Sequence, residues 1–143
     1  MAVMKLDTYL KFNGNCREAF EFYRQSFGGE FAAIQTFGDA PDDVVVGAEH
    51  RDLLMHVSLP VDTSVLMGSD SIEGFGPPTV FGSNFSITVH AQSKEEADDI
   101  FAKLAAGGSV EMPMQEMFWG AYFGALTDQF GVAWQIHHDL PRA

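Results

Sequence analysis

The sequence is poor in cysteine, in basic residues and in long apolar runs. Its one cysteine, Cys16, excludes an intramolecular disulfide and is typical of a reducing compartment. Eight Lys and Arg residues face twenty Asp and Glu, a formal net charge of −12, so the chain lacks the clustered cations that bind nucleic acid or an anionic membrane. No stretch resembles a signal peptide or approaches the roughly 18–20 apolar residues of a membrane span. We therefore expect a cytoplasmic protein that binds neither nucleic acid nor membranes.

Apolar residues, in contrast, are abundant. They make up 46% of the 143 residues, a length typical of about one domain and sufficient for a core without disulfides or metals. Thirteen of them are Phe, against three Tyr and two Trp. The chain therefore has enough aromatic rings for both a core and an aromatic-lined pocket.

The first half of the sequence predicts one helix among four strands. Asn15 is a candidate cap, Glu18 stands at the reach-back position of a capping box, and apolar residues follow at helical spacing up to Gly28. Cys16 belongs to that apolar stripe, so we expect it to be packed rather than reactive. Strands are predicted at 6–12, 30–37, 52–59 and 64–69, with an acidic loop at 38–49 and a turn at 60–63.

The second half repeats this order. Ser93 and Glu96 form another predicted capping box, Gly107 ends the helix, and these features follow their counterparts by 78 or 79 residues. Strands are predicted at 84–90, 109–116, 119–126 and 131–138. We therefore predict two strand–helix–strand–strand–strand modules, at 1–70 and 83–143, joined by a Gly- and Pro-rich linker at 71–82. Each module leaves one sheet face to bury, so two modules must pack together, within or between chains.

Three stretches carry a family resemblance, and together they cover most of the chain: NGNCREAFEFYRQSFGGE (13–30), SVLMGSD (64–70) and FWGAYFGALTDQFGVAWQIHH (118–138). The sequence resembles the PhnB-like branch of the vicinal oxygen chelate superfamily, the glyoxalase, bleomycin-resistance and dioxygenase proteins. That branch is often labelled a 3-demethylubiquinone-9 3-methyltransferase domain. The resemblance implies an α+β fold of two βαβββ modules whose curled mixed sheets form a cup, usually in a homodimer. Methyl transfer is not expected, because the Gly-rich loop and ribose-binding acid typical of adenosine-type cofactor sites are missing from the sequence.

The resemblance also implies where a metal would be held. Metal-dependent members take four ligands, His, Glu or Gln, from the first and last strands of each module. At or near the corresponding positions this sequence carries Asp7 or Thr8, Met67 or a neighbour, Asn84, and Gln135. Divalent ions such as Zn, Ni, Mn or Fe prefer imidazole and carboxylate donors, so we expect no metal cofactor. The alternative is a displaced metal site that includes Gln135 and His56.

The adjacent histidines in "WQIHHD" look like a ligand cluster, but strand geometry separates them. Neighbouring side chains on a strand point to opposite faces, so His137 shares a face with Gln135, and His138 shares one with Trp134 and Ile136. The two imidazoles are therefore not expected to bind one ion. We predict that His137 and His138 both lie at a partly exposed strand end, and the alternative for each is a polar group on the rim of the cup.

The same alternation predicts a pocket. Asn84, Ser86 and Thr88 share the polar face of the strand at 84–90, and Leu54, His56 and Ser58 share one face of the strand at 52–59. If these faces line the cup, they form a small-molecule pocket; otherwise they meet solvent. The predicted pocket residues are Tyr9, His56, Asn84, Ser86, Thr88, Trp119, Tyr122 and Gln135. The rings of Trp119 and Tyr122 either form aromatic walls of the pocket or pack in the core. His56 is the candidate catalytic residue if a proton is transferred, since its ordinary pKa lies near neutrality.

Three functions stay open at this point. The first is a metal-independent homodimer that binds a small apolar or aromatic molecule, which the metal-poor ligand positions and the many rings favour. The second is a metal-dependent lyase, isomerase or dioxygenase. The third is a structural or regulatory dimer without a ligand.

Overall fold

Two compact units make up the chain, and in its described part each unit contains one α-helix and one four-stranded mixed sheet. The computed structural model describes residues 4–141, and the first unit ends at Val80 while the second begins at Phe81. The predicted α+β fold of two βαβββ modules is confirmed. Within residues 4–141 no helix is long and apolar enough to cross a membrane.

The first unit carries the strand order β1-β4-β3-β2. Strand β1 is parallel to β4, and the other neighbours are antiparallel. Its elements are β1 (Thr8–Phe12), α1 (Cys16–Phe27), β2 (Ala33–Thr36), β3 (Leu54–Val61) and β4 (Ser64–Asp70). The acidic loop predicted at 38–49 begins and ends with short 3-10 helices, at Phe37–Asp39 and Ala48–His50.

The second unit repeats this topology with the order β5-β8-β7-β6. Strand β5 is parallel to β8, as β1 is to β4, and the remaining pairs are antiparallel. Its elements are β5 (Ile87–His90), α2 (Lys94–Ala105), β6 (Ser109–Met117), β7 (Ala121–Thr127) and β8 (Ala133–Asp139). A turn at 128–131 joins β7 to β8, with the amide of Gly131 donating to the carbonyl of Asp128.

Each helix packs on one face of its own sheet, and the other side of the sheet is called here the open face. Phe20 of α1 is fully buried against β4, where Gly68 leaves room for its ring: a Cβ at Gly68 would lie 2.5 Å from Cε1 of Phe20. In the second unit, Phe101 of α2 approaches Gly124 in the same way. Both glycines are therefore required by close packing between helix and sheet.

The two helices begin differently, and one predicted cap is wrong. The Ser93 hydroxyl accepts the amide of Glu96 at 3.0 Å, as predicted for α2. The Asn15 side chain makes no capping hydrogen bond to α1. Instead, Oδ1 of Asp70, a buried carboxylate at the end of β4, accepts the amides of Gly14 and Cys16 at 2.9 Å each. The start of α1 is thus held by a distant strand.

Two predicted strands also need correction. Strand β5 begins at Ile87, so Asn84 and Ser86 precede it instead of forming its polar face. In β3, Leu54 is buried and does not share the face of His56. A bulge explains this: Gln35 pairs with His56 but Thr36 with Leu54, so one extra residue of β3 interrupts the alternation.

Candidate functional site

Polar side chains meet in pairs on the open face of the second unit. In the parallel pairing of β5 with β8, Thr88 lies opposite Gln135 and His90 lies opposite His137. The Thr88 hydroxyl donates to Oε1 of Gln135 at 3.2 Å, which orients the amide. Gln135 thus presents a fixed hydrogen-bonding group on this face.

A shallow depression lies beside Gln135, with a volume of about 350 Å³. It brings together three residues predicted for the pocket, Asn84, Ser86 and Gln135, all within the second unit. Phe85, of which 57% is exposed, adds an aromatic surface. The remaining lining residues are Ser83, Glu111, Ala125, Leu126, Ala133 and Trp134. Neutral amides and hydroxyls next to a ring are a typical composition for a small-ligand site.

A row of four rings continues along the open face. Trp119 packs edge-on to Phe123 with 6.0 Å between ring centroids, Phe123 lies 6.4 Å from His137, and His137 lies 5.3 Å from His90. This ring row contains Trp119, predicted as an aromatic wall, and also Phe123, which the sequence reasoning missed. Because His137 is two residues from Gln135 on β8, the ring row begins next to the depression.

Tyr122, the other predicted aromatic wall, lies on the opposite face, which corrects its expected position. Its hydroxyl donates to Oδ1 of Asp98 on α2 at 2.6 Å, and Nζ of Lys94 stands 4.6 Å from its ring centroid. The hydrogen bond to the Asp98 carboxylate raises the pKa of Tyr122. The reason is alternation, since Tyr122 is the neighbour of Phe123 on β7.

The two adjacent histidines take different partners. Nε2 of His137 and Oδ1 of Asp139 are 2.8 Å apart, and this hydrogen bond is the main cause of a lowered pKa at Asp139. Nδ1 of His138 lies 2.9 Å from the carbonyl oxygen of Ala91, beside the start of α2. The two imidazoles therefore do not converge on one point.

The open face of the first unit carries two other predicted residues, Tyr9 and His56. The Tyr9 hydroxyl and Nδ1 of His56 are 3.2 Å apart, and the two rings stack with 5.8 Å between centroids. Tyr9 lies opposite Met67 across β1 and β4. Asp7 lies before β1, where its Oδ1 accepts the amide of Val65 at 3.0 Å, and Thr8 points to the helix side with Leu10.

The side chains at the metal-ligand positions do not fit a divalent ion. Met67 offers a thioether, Asn84 and Gln135 offer amides, and Asp7 is engaged by a backbone amide and by Lys5 at 3.4 Å. Within residues 4–141 no group of three or more His, Cys, Asp or Glu side chains is arranged to hold a metal. His56 and Gln135, the alternative pair, belong to different units. Zinc and other borderline ions need several imidazole, thiolate or carboxylate donors, and among these positions only Asp7 carries one.

Two further buried side chains have structural roles. Asp128 is buried and accepts the amides of Phe130 and Val132 with Oδ1 and the indole N–H of Trp134 with Oδ2, which fixes the turn before β8. An Asp at the head of a turn is a sequence signal for such hydrogen bonds.

Cys16 is fully buried. Burial, aided by the charge of Asp70, raises the pKa of its thiol, in agreement with a packing role.

The comparisons with known proteins agree with this fold. The family model described as 3-demethylubiquinone-9 3-methyltransferase matches residues 4–137. Protein YjdN of Escherichia coli strain K12 is 34% identical over 142 residues, 94% of this chain and 95% of YjdN. The crystal structure of PA1353 from Pseudomonas aeruginosa is 42% identical, with a TM-score of 0.85 over 97% of this chain and all of that one.

Two other solved structures extend the comparison. The PhnB protein of Bacillus cereus is 29% identical, with a TM-score of 0.75 over 94% of this chain and 99% of that one. A glyoxalase/bleomycin resistance protein/dioxygenase family enzyme from Burkholderia phytofirmans shares the fold alone, at 17% identity and a TM-score of 0.59 over 94% of this chain and all of that one. Because the family model covers nearly the whole chain, the protein belongs to the 3-demethylubiquinone-9 3-methyltransferase family.

Proposed function

We propose that this protein binds a small, uncharged aromatic molecule without a metal, at the depression beside Gln135. The observation that carries the proposal is the meeting of Asn84, Ser86 and Gln135 in one cavity that also exposes the ring of Phe85. The amides and hydroxyls would hold a polar substituent of the ligand. The ligand's ring would lie against Phe85 or along the ring row.

The charge of the protein supports an uncharged ligand. With a formal net charge of −12, the chain repels anions in general. The depression itself includes Glu111, whose carboxylate accepts the Thr127 hydroxyl at 2.7 Å, and no basic side chain lines it. An acidic compound would therefore meet only negative charge and neutral dipoles there.

The homodimer and the cytoplasmic location belong to the same proposal. The family resemblance favours a dimer, and the single cysteine favours a reducing compartment. Sedimentation measured over a range of protein concentrations tests the first. A species of twice 15.7 kDa supports it, and a monomer at all concentrations contradicts it.

A ligand screen tests the binding proposal directly. Small aromatic amides and phenols are added to the purified protein, and a specific binder raises the unfolding temperature as its concentration rises. Gln135→Ala should weaken that binder about tenfold, because one hydrogen bond to the ligand is worth about 1.4 kcal/mol. Gln92→Ala, an exposed glutamine outside the depression, is the matched control and should change nothing.

Two results would contradict the proposal. The first is a panel in which no compound raises the unfolding temperature, or in which Gln135→Ala binds as well as the parent protein. The second is a stoichiometric amount of Zn, Ni, Mn or Fe in the purified protein that is lost on substitution of Gln135 or His56. That result would establish the metal-dependent alternative.

A further inference from the structure

A tyrosine and a histidine meet on the open face of the first unit across an intervening strand. Tyr9 is on β1 and His56 is on β3, with β4 between them in the sheet. The phenolic oxygen lies 3.2 Å from Nδ1 of the imidazole, and the rings are 5.8 Å apart at an angle of 30°. The phenol donates this hydrogen bond when Nδ1 is unprotonated, which places a proton acceptor directly on the hydroxyl.

This pair does not follow from the fold alone, because the second unit lacks it. Thr88 lies opposite Gln135, as Tyr9 lies opposite Met67. On the next strand of each sheet, Ala125 lies opposite Gln135 and Ser58 lies opposite Met67. Phe123 stands two residues before Ala125, as His56 stands two residues before Ser58. The equivalent positions therefore carry Thr88 and Phe123, which cannot form a phenol–imidazole pair. The Tyr9–His56 contact is a property of the first unit's own sequence.

We propose that Tyr9 is a nucleophile activated by His56, and that it accepts acyl groups from small, uncharged activated esters. An imidazole on the hydroxyl of a nucleophile is the arrangement that activates serine and cysteine in acyl transfer. In the step proposed, the phenolic O–H bond breaks and its proton moves to Nδ1 of His56. A bond forms between the phenolic oxygen and the acyl carbon, and the alcohol part of the ester leaves as an alkoxide or phenoxide.

The surroundings allow this step. Tyr9 is 43% exposed, so a small ester can reach its oxygen. Lys11, also exposed, lies two residues further along β1 on the same face, where it adds positive charge near the oxygen that becomes negative in the step. This site lies entirely in the first unit and does not depend on ligand binding at the depression.

The chain contains its own controls, because it has only three tyrosines. Tyr23 is fully buried in the contact between α1 and its sheet. The Tyr122 hydroxyl donates to the carboxylate of Asp98, and a carboxylate is a weaker base than an imidazole, so Tyr122 should be activated less than Tyr9. The three phenols therefore differ in access and in hydrogen-bond partner within one molecule.

The test is acetylation of the full chain by p-nitrophenyl acetate, followed by peptide mapping of the three tyrosines over time. We expect Tyr9 to be acetylated at least about tenfold faster than Tyr122. This is less than the 10²–10⁴-fold acceleration that general bases typically give in enzymes. Tyr23 should stay unmodified. In His56→Gln, which keeps a hydrogen-bonding group but no strong base, the rate at Tyr9 should fall to that at Tyr122.

Acetylation of the buried Tyr23 distinguishes misfolding from the loss of the base. If His56→Gln loosened the whole fold, Tyr23 would also become acetylated, and His56→Asn at the same position would then replace it. Equal rates at Tyr9 and Tyr122 in the parent protein would overturn the proposal. So would a folded His56 variant in which Tyr9 reacts as fast as before.

Discussion

The two units share one topology, but their open faces carry different chemistry. Where the first strand meets the last, the first unit has Tyr9 opposite Met67, and the second has Thr88 opposite Gln135. The next positions carry Lys11 and Ser69 in one unit and the His90–His137 pair in the other. The repeated backbone thus specifies where side chains face each other. The sequence of each unit decides separately which side chains meet at these positions.

The units also differ on the side of each sheet that faces the helix, in which strand carries the glycine that contacts a helix phenylalanine. In the first unit the glycine that receives a helix ring is Gly68 on β4, and its neighbour across the pair is Val57 on β3. In the second unit the glycine is Gly124 on β7, and its neighbour is Ile136 on β8. Each of these pairs therefore combines one glycine with one β-branched residue. The glycine lies on the last strand of the first unit but on the third strand of the second unit. Both arrangements leave space for one phenylalanine from the helix.

The helix starts show the largest energetic difference between the units. Helix α2 is capped by Ser93, three residues from the amide it accepts. Helix α1 depends on Asp70, which accepts its first amides from 54 and 56 residues away and also accepts the amide of Leu54. The start of α1 can therefore form fully only when β4 is in place, whereas α2 can begin from local sequence.

Replacement of Asp70 by Ala is the strongest test of this difference. Backbone amides at Gly14, Cys16 and Leu54 would lose their acceptor, and those of Cys16 and Leu54 are buried. A buried amide left without a partner costs about 1–3 kcal/mol, so the free energy of unfolding should fall by at least about 2 kcal/mol. Urea denaturation measures the change.

Ser93→Ala is the matched variant in the second unit. It removes a single local cap and should lower the free energy of unfolding by only about 1 kcal/mol. Equal losses for Asp70→Ala and Ser93→Ala would mean that the two helices begin in the same way. Such a result would contradict the distinction between a distant and a local cap.

These contrasts explain how much the sequence alone could predict. Helix stripes, glycine ends and the 78–79 residue repeat are local patterns, and they identified both modules correctly. Strand alternation also placed Gln135 on one face and Trp134 on the buried one. The cap by Asp70 was missed, because nothing local links residue 70 to residue 15.

Two further errors have different origins. The bulge that turns Leu54 inward depends on how β3 pairs with β2, which the β3 sequence does not reveal. Tyr122 was expected beside the pocket because it stands in an aromatic segment, yet its hydrogen-bond partner Asp98 belongs to the helix. Its position follows from strand alternation along β7, which the sequence reasoning did not apply to this segment.

Gly68→Ala and Gly124→Ala test the second contrast, with an intermediate effect. A methyl group at Gly68 would meet the Phe20 ring at 2.5 Å, and one at Gly124 would meet Sδ of Met114 at 2.6 Å and Phe101 at 2.8 Å. Overpacking of this kind costs about 1–3 kcal/mol, so both variants should unfold at lower temperature and lower urea concentration. A smaller loss at Gly124 would indicate that the flexible Met114 side chain moves aside.

Gly82→Ala is the control for both variants. Its added Cβ would meet only Oδ1 of Asn84, at an ordinary 3.6 Å. Its stability should stay within about 0.5 kcal/mol of the parent protein. If Gly68→Ala were equally harmless, the close contact between Phe20 and β4 would not limit packing in the first unit.

The smallest expected effect concerns the Asp139–His137 hydrogen bond, which gives the second unit's open face its own pH dependence. The hydrogen bond from His137 lowers the pKa of Asp139 below its ordinary value of 3.8. A lowered pKa in the folded state means that the charged carboxylate stabilises the fold above pH 3.8, and this contribution is lost as the pH falls through the lower folded value. Asp139→Asn should therefore be less stable than the parent protein at neutral pH, and the difference should shrink only below the folded-state pKa of Asp139.

The measurement is urea denaturation across the acid range, repeated in a His137→Gln background, where Asp139→Asn should have no pH-dependent effect. The same acid dependence with and without His137 would mean that another group, such as His90 or His138, holds the Asp139 carboxylate.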